Sequence, residues 1–180
     1  MPKSIQVARL SQPRRHLLLR PKCASLIGAI VGEWNTVENL LAHLHATALG
    51  TSRSSTDEEG EFLETKLNVT ALLAMRKLSS NPSRIELMNK RVAPRLPPHL
   101  VSRWQQIVPL IEECARERNT VVHGDWWLSD LYPDGLILQD KQWQLTLYEV
   151  QCFEYVLECI STLSTALVKF AREVGKAQIG

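Results

Sequence analysis

The chain has 180 residues, 44% of them hydrophobic and 22% charged, which argues against disorder and for one compact domain burying roughly 70% of its unfolded surface. A net charge of +2 is too small to signal nucleic-acid binding by itself. No apolar run approaches the roughly 20 residues a membrane helix needs, since Cys23–Val31 stops at Gly32-Glu33. The expectation is a soluble, cytoplasmic protein with no membrane contact.

The N-terminal stretch carries Lys3, Arg9, Arg14, Arg15, Arg20 and Lys22 with no acid. A transit peptide or an arm for an anionic ligand would share this composition. Residues 1–21 read more simply as a solvated, flexible basic tail before a single domain at 22–180. The four cysteines, Cys23, Cys114, Cys152 and Cys159, stand singly with no C-x-x-C pair. They read as small buried apolar residues in a reducing compartment, and no metal or cofactor is expected.

After Pro21, the residues Ile27, Ile30, Trp34, Val37, Leu41, Leu44 and Ala48 alternate spacings of three and four, the stripe of an amphipathic helix ending near Gly50. A second stripe, Gly28, Gly32, Asn35, Asn39, Ala42 and Ala46, would let another backbone approach. Thr51–Glu61 lacks apolar periodicity and reads as a mobile loop. A second helix is expected over Phe62–Leu78, and a third from a Ser83 cap to about Val92, with Glu86 completing a capping box. Pro94, Pro97 and Pro98 end it. Bases dominate between Arg76 and Arg103, where Glu86 is the single acid, so one side of the molecule is expected to be basic.

A fourth helix should run from Pro98 to His123, with Gly124 as a left-handed stop. Gly135–Leu138 and Trp143–Leu147 then alternate apolar and polar residues about Asp140-Lys141 and predict a β-hairpin. Thr146 with Glu149 reads as the capping box of a final helix, whose stripe is Val150, Phe153, Leu157, Ile160, Leu163, Leu167, Phe170 and Val174. The fold class expected is all-α, an antiparallel helical bundle with a small β-hairpin before the last helix.

Stepping ~100° per residue from Ile111 along the fourth helix puts Arg118 roughly 20° from the centre of the apolar stripe. A guanidinium there must be paired, hydrogen-bonded or turned to a wet cavity. Two placements meet that need: an ion pair with Glu33 or Glu38, or the wall of a groove that receives a phosphate. Asn119 and His123 lie four residues apart on one flank, so the amide can orient the imidazole. Alone, His123 would be a C-terminal cap. Trp126 and Trp127 read as core packing more readily than as base-stacking surfaces. His43 and His45 point to different faces and make a poor metal pair.

Together Arg118, Asn119 and His123, followed by Gly124, form R-N-T-V-V-H-G, which resembles the active-site motif of the HEPN superfamily. The resemblance implies a metal-independent endoribonuclease, working as a homodimer on RNA in a toxin–antitoxin or phage-defence setting. An antitoxin or a nucleotidyltransferase-like partner would accompany it. In that reading His123 is the general acid or base, Arg118 holds phosphate oxygens, and Asn119 positions the imidazole or the phosphate. A non-catalytic HEPN-like module binding protein or RNA, and a structural helical protein with a buried arginine ion pair, are the alternatives.

Overall fold

Prolines at the first helical position and long apolar stripes set the main elements. In chain order these are β1 (Lys3–Ile5), α1 (Pro21–Ala48), β2 (Thr51–Asp57), β3 (Gly60–Lys66), α2 (Val69–Arg76), α3 (Asn81–Arg91), α4 (Pro98–His123), β4 (Asp125–Trp127), β5 (Leu136–Gln139), β6 (Leu145–Tyr148) and α5 (Val150–Ala177). The computed structural model describes residues 1–177 apart from 8, 14, 15, 58 and 59, with only the backbone for 51–65. Arg14 and Arg15 of the basic segment therefore lie outside the described residues. The protein is mostly helical, but its strands make more than one hairpin. The chain divides into two compact units, Met1–Trp34 with Cys114–Ser161 and Asn35–Glu113 with Thr162–Gly180.

In the first unit a four-stranded antiparallel sheet has the order β1-β6-β5-β4. Trp126 faces Leu138, Leu138 faces Thr146, and Thr146 faces Ser4. Thr146 is thus a strand residue and not the cap expected for the last helix. The period-two pattern from Leu145 carries β6 to Tyr148, two residues short of α5. Within the segment read as a tail, β1 supplies an edge strand. Further on, Ser11 exchanges two backbone hydrogen bonds with Leu128, at 3.0 and 2.9 Å, just past the opposite edge. The Arg20 guanidinium donates to the carbonyls of Leu19, Ser129, Tyr132 and Gly135, fastening the start of α1 to the connection between β4 and β5. The buried apolar set includes Cys23, Ile30, Trp34, Val121, Trp126, Leu136, Ile137, Leu147, Phe153 and Ile160. Gly28 and Gly32 face open space, so among the described residues no backbone packs within 4 Å of where their side chains would begin.

In the second unit β2 and β3 pair antiparallel from Thr51↔Lys66 to Asp57↔Gly60. This hairpin replaces both the loop expected over Thr51–Glu61 and the first part of the helix expected from Phe62. Helix α2 instead begins after Asn68, whose side chain accepts the Ala71 N–H at 3.0 Å. Helix α3 is capped by Ser80 and not Ser83: the Ser80 side chain accepts the Ser83 N–H, and Pro82 sits in the first turn, where its missing donor costs nothing. Trp104 stacks on Phe170 with centroids 6.0 Å apart, among Leu41, Leu44, Met75, Met88, Ile107, Ile111, Leu163, Leu167 and Val174. The expected basic side is partly neutralised. Arg84 pairs with Glu38 at 2.7 Å and Arg103 with Glu173 at 2.6 Å, while Arg76 donates to Asn39 Oδ1. The Arg103 pair is half-exposed and contributes about 0–1 kcal/mol.

Candidate functional site at the end of α4

The site belongs to the first unit and grows out of the last turn of α4. Val121 is fully buried there and its carbonyl accepts the Trp126 indole N–H at 3.0 Å. Trp126 in turn meets Tyr148 edge-on at 5.1 Å and Phe153 at 5.6 Å. This aromatic cluster clamps the end of α4 to the sheet and to the start of α5, so the side chains of that last turn project from a rigid base. Trp126 is therefore core. Its neighbour Trp127 is half-buried, with its indole N–H on Asp125 Oδ2 at 3.2 Å.

Gly124 makes the bend between α4 and β4, and for a different reason than expected. A Cβ there would lie 2.7 Å from Leu138 Cδ1, 2.7 Å from the Thr120 carbonyl oxygen and 3.0 Å from Trp126 Cε2. Its φ falls outside the left-handed range, so space and not handedness selects glycine.

The structure brings Arg118, Asn119 and His123 together with Arg118 at the centre. Its Nη1 donates to Asn119 Oδ1 at 3.0 Å and lies 3.2 Å from His123 Nε2. A guanidinium has donors only, so the second contact is a hydrogen bond when Nε2 is the unprotonated ring nitrogen. Asn119 was expected to orient the imidazole; it holds Arg118 instead, and Arg118 meets the imidazole. Arg118 is half-buried, whereas Asn119 and His123 are exposed, so the cluster opens to solvent and is not sunk in a groove. The inner edge of the guanidinium is enclosed, with Nε buried and without a hydrogen-bond partner.

Among the described residues Arg118 makes no ion pair, and the expected pairing with Glu33 does not form. Glu38 serves Arg84 within the second unit. The outer nitrogen Nη2 makes no hydrogen bond to the described protein, which leaves donors available at the surface.

Comparison with protein-family models, with curated proteins and with solved structures gives no match to this chain.

Elsewhere, His45 is buried, places Nδ1 3.0 Å from the Ala71 carbonyl oxygen and leaves Nε2 without a partner. Desolvation pushes its pKa down, outweighing the backbone hydrogen bond. His43 is exposed on the same helix, and no cluster of three metal-ligating side chains occurs among the described residues. Cys23, Cys114 and Cys152 are buried and Cys159 half-buried, all as free thiols. No helix among the described residues is long and apolar enough to cross a membrane.

What sequence spacing missed is the reach of the arginine. The one-residue step to Asn119 and the five-residue step to His123 are both closed by a single long side chain, a pairing that a four-residue rule along a helix does not consider.

Proposed function

We propose that Arg118, Asn119 and His123 form an RNA-cleaving site of HEPN type, in a helical domain of that superfamily acting as a homodimer. RNA supplies its own nucleophile in the 2′-OH, so the protein need only move protons and stabilise charge on the phosphorane. The unprotonated Nε2 of His123 would take the 2′-OH proton as the oxygen attacks the adjacent phosphorus and the P–O5′ bond breaks. The departing 5′-oxygen needs a proton in turn. With one site histidine in each copy, the second copy's imidazole or a solvent molecule would supply it. Arg118 would meet the equatorial phosphate oxygens with its free Nη2. Nε2 has a single lone pair, so Arg118 Nη1 would give it up to the 2′-OH as the RNA binds, which frees a second donor for the phosphate. Asn119 keeps the guanidinium aimed.

The observation that carries this reading is an arginine with no carboxylate partner among the described residues, held 3.2 Å from the imidazole of an exposed histidine. An ion-paired structural arginine would not be placed so. A toxin–antitoxin or defence setting, with an antitoxin or a nucleotidyltransferase-like partner, belongs to the same proposal. The test is RNA cleavage by the purified chain beside Arg118→Ala and His123→Ala, with folding checked by thermal melting. Loss of a general acid–base group lowers the rate by about 10²–10⁴-fold, the loss expected of His123→Ala, and removal of a transition-state donor by about 10²–10³-fold, the loss expected of Arg118→Ala, with both variants remaining folded. Variants that cleave like the parent would contradict the assignment.

A further inference from the structure

The β5–β6 turn presents a tryptophan in a costly way. Asp140 accepts the Trp143 N–H on its carbonyl and donates its own N–H to Gln144, both at 3.1 Å. The Asp140 carboxylate accepts the N–H groups of Gln142 and Gln144, each at 2.8 Å. This is a tightly bonded hairpin turn that closes with one left-handed residue, a position where glycine is the default. The residue there is Trp143, with φ of +63°. It is 79% exposed. A bulky side chain in left-handed backbone is a genuine outlier, and an indole left in water gains nothing from burial. Both costs fall on one residue, and neither helps the fold.

Register places this turn beside the candidate site. Asp125 pairs with Gln139, and Gln139 with Leu145, so Asp140–Gln144 leaves the sheet at the end where the chain enters from His123. Adjacent strands are about 5 Å apart, which separates the lines of β4 and β6 by about 10 Å. Arg118, His123 and Trp143 therefore share one rim of one unit.

We propose that Trp143 is a stacking platform for an unpaired base of an RNA strand whose phosphate lies at Arg118 and His123. The proposal rests on the nucleic-acid reading of that site. The surroundings favour a base over a protein partner: Asp140, Lys141, Gln142 and Gln144 are all polar and exposed. A protein hot spot needs a tightly packed rim that excludes water. A base needs one π-face and a nearby cation for its backbone, and Lys141 and Arg118 supply the cations.

The test uses Trp143→Gly, a change that relieves backbone strain and so should leave the thermal midpoint equal or higher. Trp143→Asn, also tolerant of left-handed backbone, is the companion. Affinity for a fluorescent single-stranded oligoribonucleotide and for the same sequence in a duplex is measured in a His123→Ala background, at one fixed low salt concentration. Both variants should bind the single strand ~10-fold or more weakly and the duplex as before, while Trp143→Phe retains most of the affinity. Unchanged single-strand affinity overturns the proposal and points to a protein contact at Trp143. Equal weakening for strand and duplex also overturns it, and so does a parent that binds neither. Cleavage by the unmodified chain separates the two readings. Cleavage with unchanged Trp143→Gly binding removes the stacking site alone, whereas weakened binding without any cleavage removes the nuclease alone.

Discussion

Arg118 Nη1 sits 3.2 Å from His123 Nε2 and 3.0 Å from Asn119 Oδ1, so one nitrogen of one guanidinium joins the three polar side chains at the end of α4. Because Arg118 has no carboxylate partner among the described residues and carries a buried, unpartnered Nε, its replacement should cost the fold little. Arg118→Met keeps the stem and removes the orphaned donor. The expected urea-unfolding free energy equals or exceeds that of the parent, with cleavage lost. A buried ion pair would instead cost about 3–5 kcal/mol when broken.

The bend at Gly124 makes a second prediction. Gly124→Ala forces a methyl group into Leu138, the Thr120 carbonyl and Trp126, and overpacking of this kind costs about 1–3 kcal/mol. The carbonyl belongs to the backbone of α4 itself, so relief must come by moving the chain next to His123. Denaturation should show a stable but weakened fold. RNA cleavage should fall further than the unfolded fraction accounts for.

Trp126 should prove a structural residue. Trp126→Phe leaves the Val121 carbonyl without its buried donor, a loss of about 1–3 kcal/mol, and loosens the contacts to Tyr148 and Phe153. Chemical denaturation should report that loss. The residual activity per folded molecule should stay close to that of the parent, because the indole is buried and its hydrogen bond and ring contacts go to Val121, Tyr148 and Phe153 and not to the three site residues.

His45 gives a pH signature. Burial holds its pKa below the ordinary value of 6.5, so the native protein keeps the ring neutral while the unfolded chain takes up a proton. Stability is therefore full above 6.5 and falls as the pH drops below it toward the folded pKa. Urea unfolding at about pH 8 and about pH 5.5 should show a smaller loss for His45→Met than for the parent. Equal losses would mean that His45 does not contribute to the slope.

The long helices were legible because their stripes are strong: α4 begins at Pro98 and ends at His123 as the sequence implies, and seven of the eight stripe residues of α5 are buried. The misreadings have specific causes. Ser/Thr-rich β2 shows no apolar periodicity, so its pairing with β3 is written in the partner and not in the strand itself. Thr146 and Glu149 mimic a capping box by spacing while β6 occupies the same residues. Ser83 distracts from Ser80, although Pro82 in the first turn marks the earlier cap. The pairing of β1 with β6 joins residues at opposite ends of the chain and leaves no local trace. At the candidate site, helical spacing put Asn119 and His123 on one flank but did not foresee that Arg118 meets both, because it ignored how far an arginine reaches.

In the proposed reaction His123 and Arg118 act on a phosphodiester whose nucleophile is the substrate's own 2′-OH. The most direct measurement is the chemistry of the product ends after incubation of single-stranded RNA with the purified chain in a metal chelator. The prediction is cleavage leaving 2′,3′-cyclic phosphate and 5′-hydroxyl termini, abolished by a 2′-deoxy substitution at the cleaved position. RNA left intact, or cleaved to 3′-hydroxyl and 5′-phosphate termini, would contradict it.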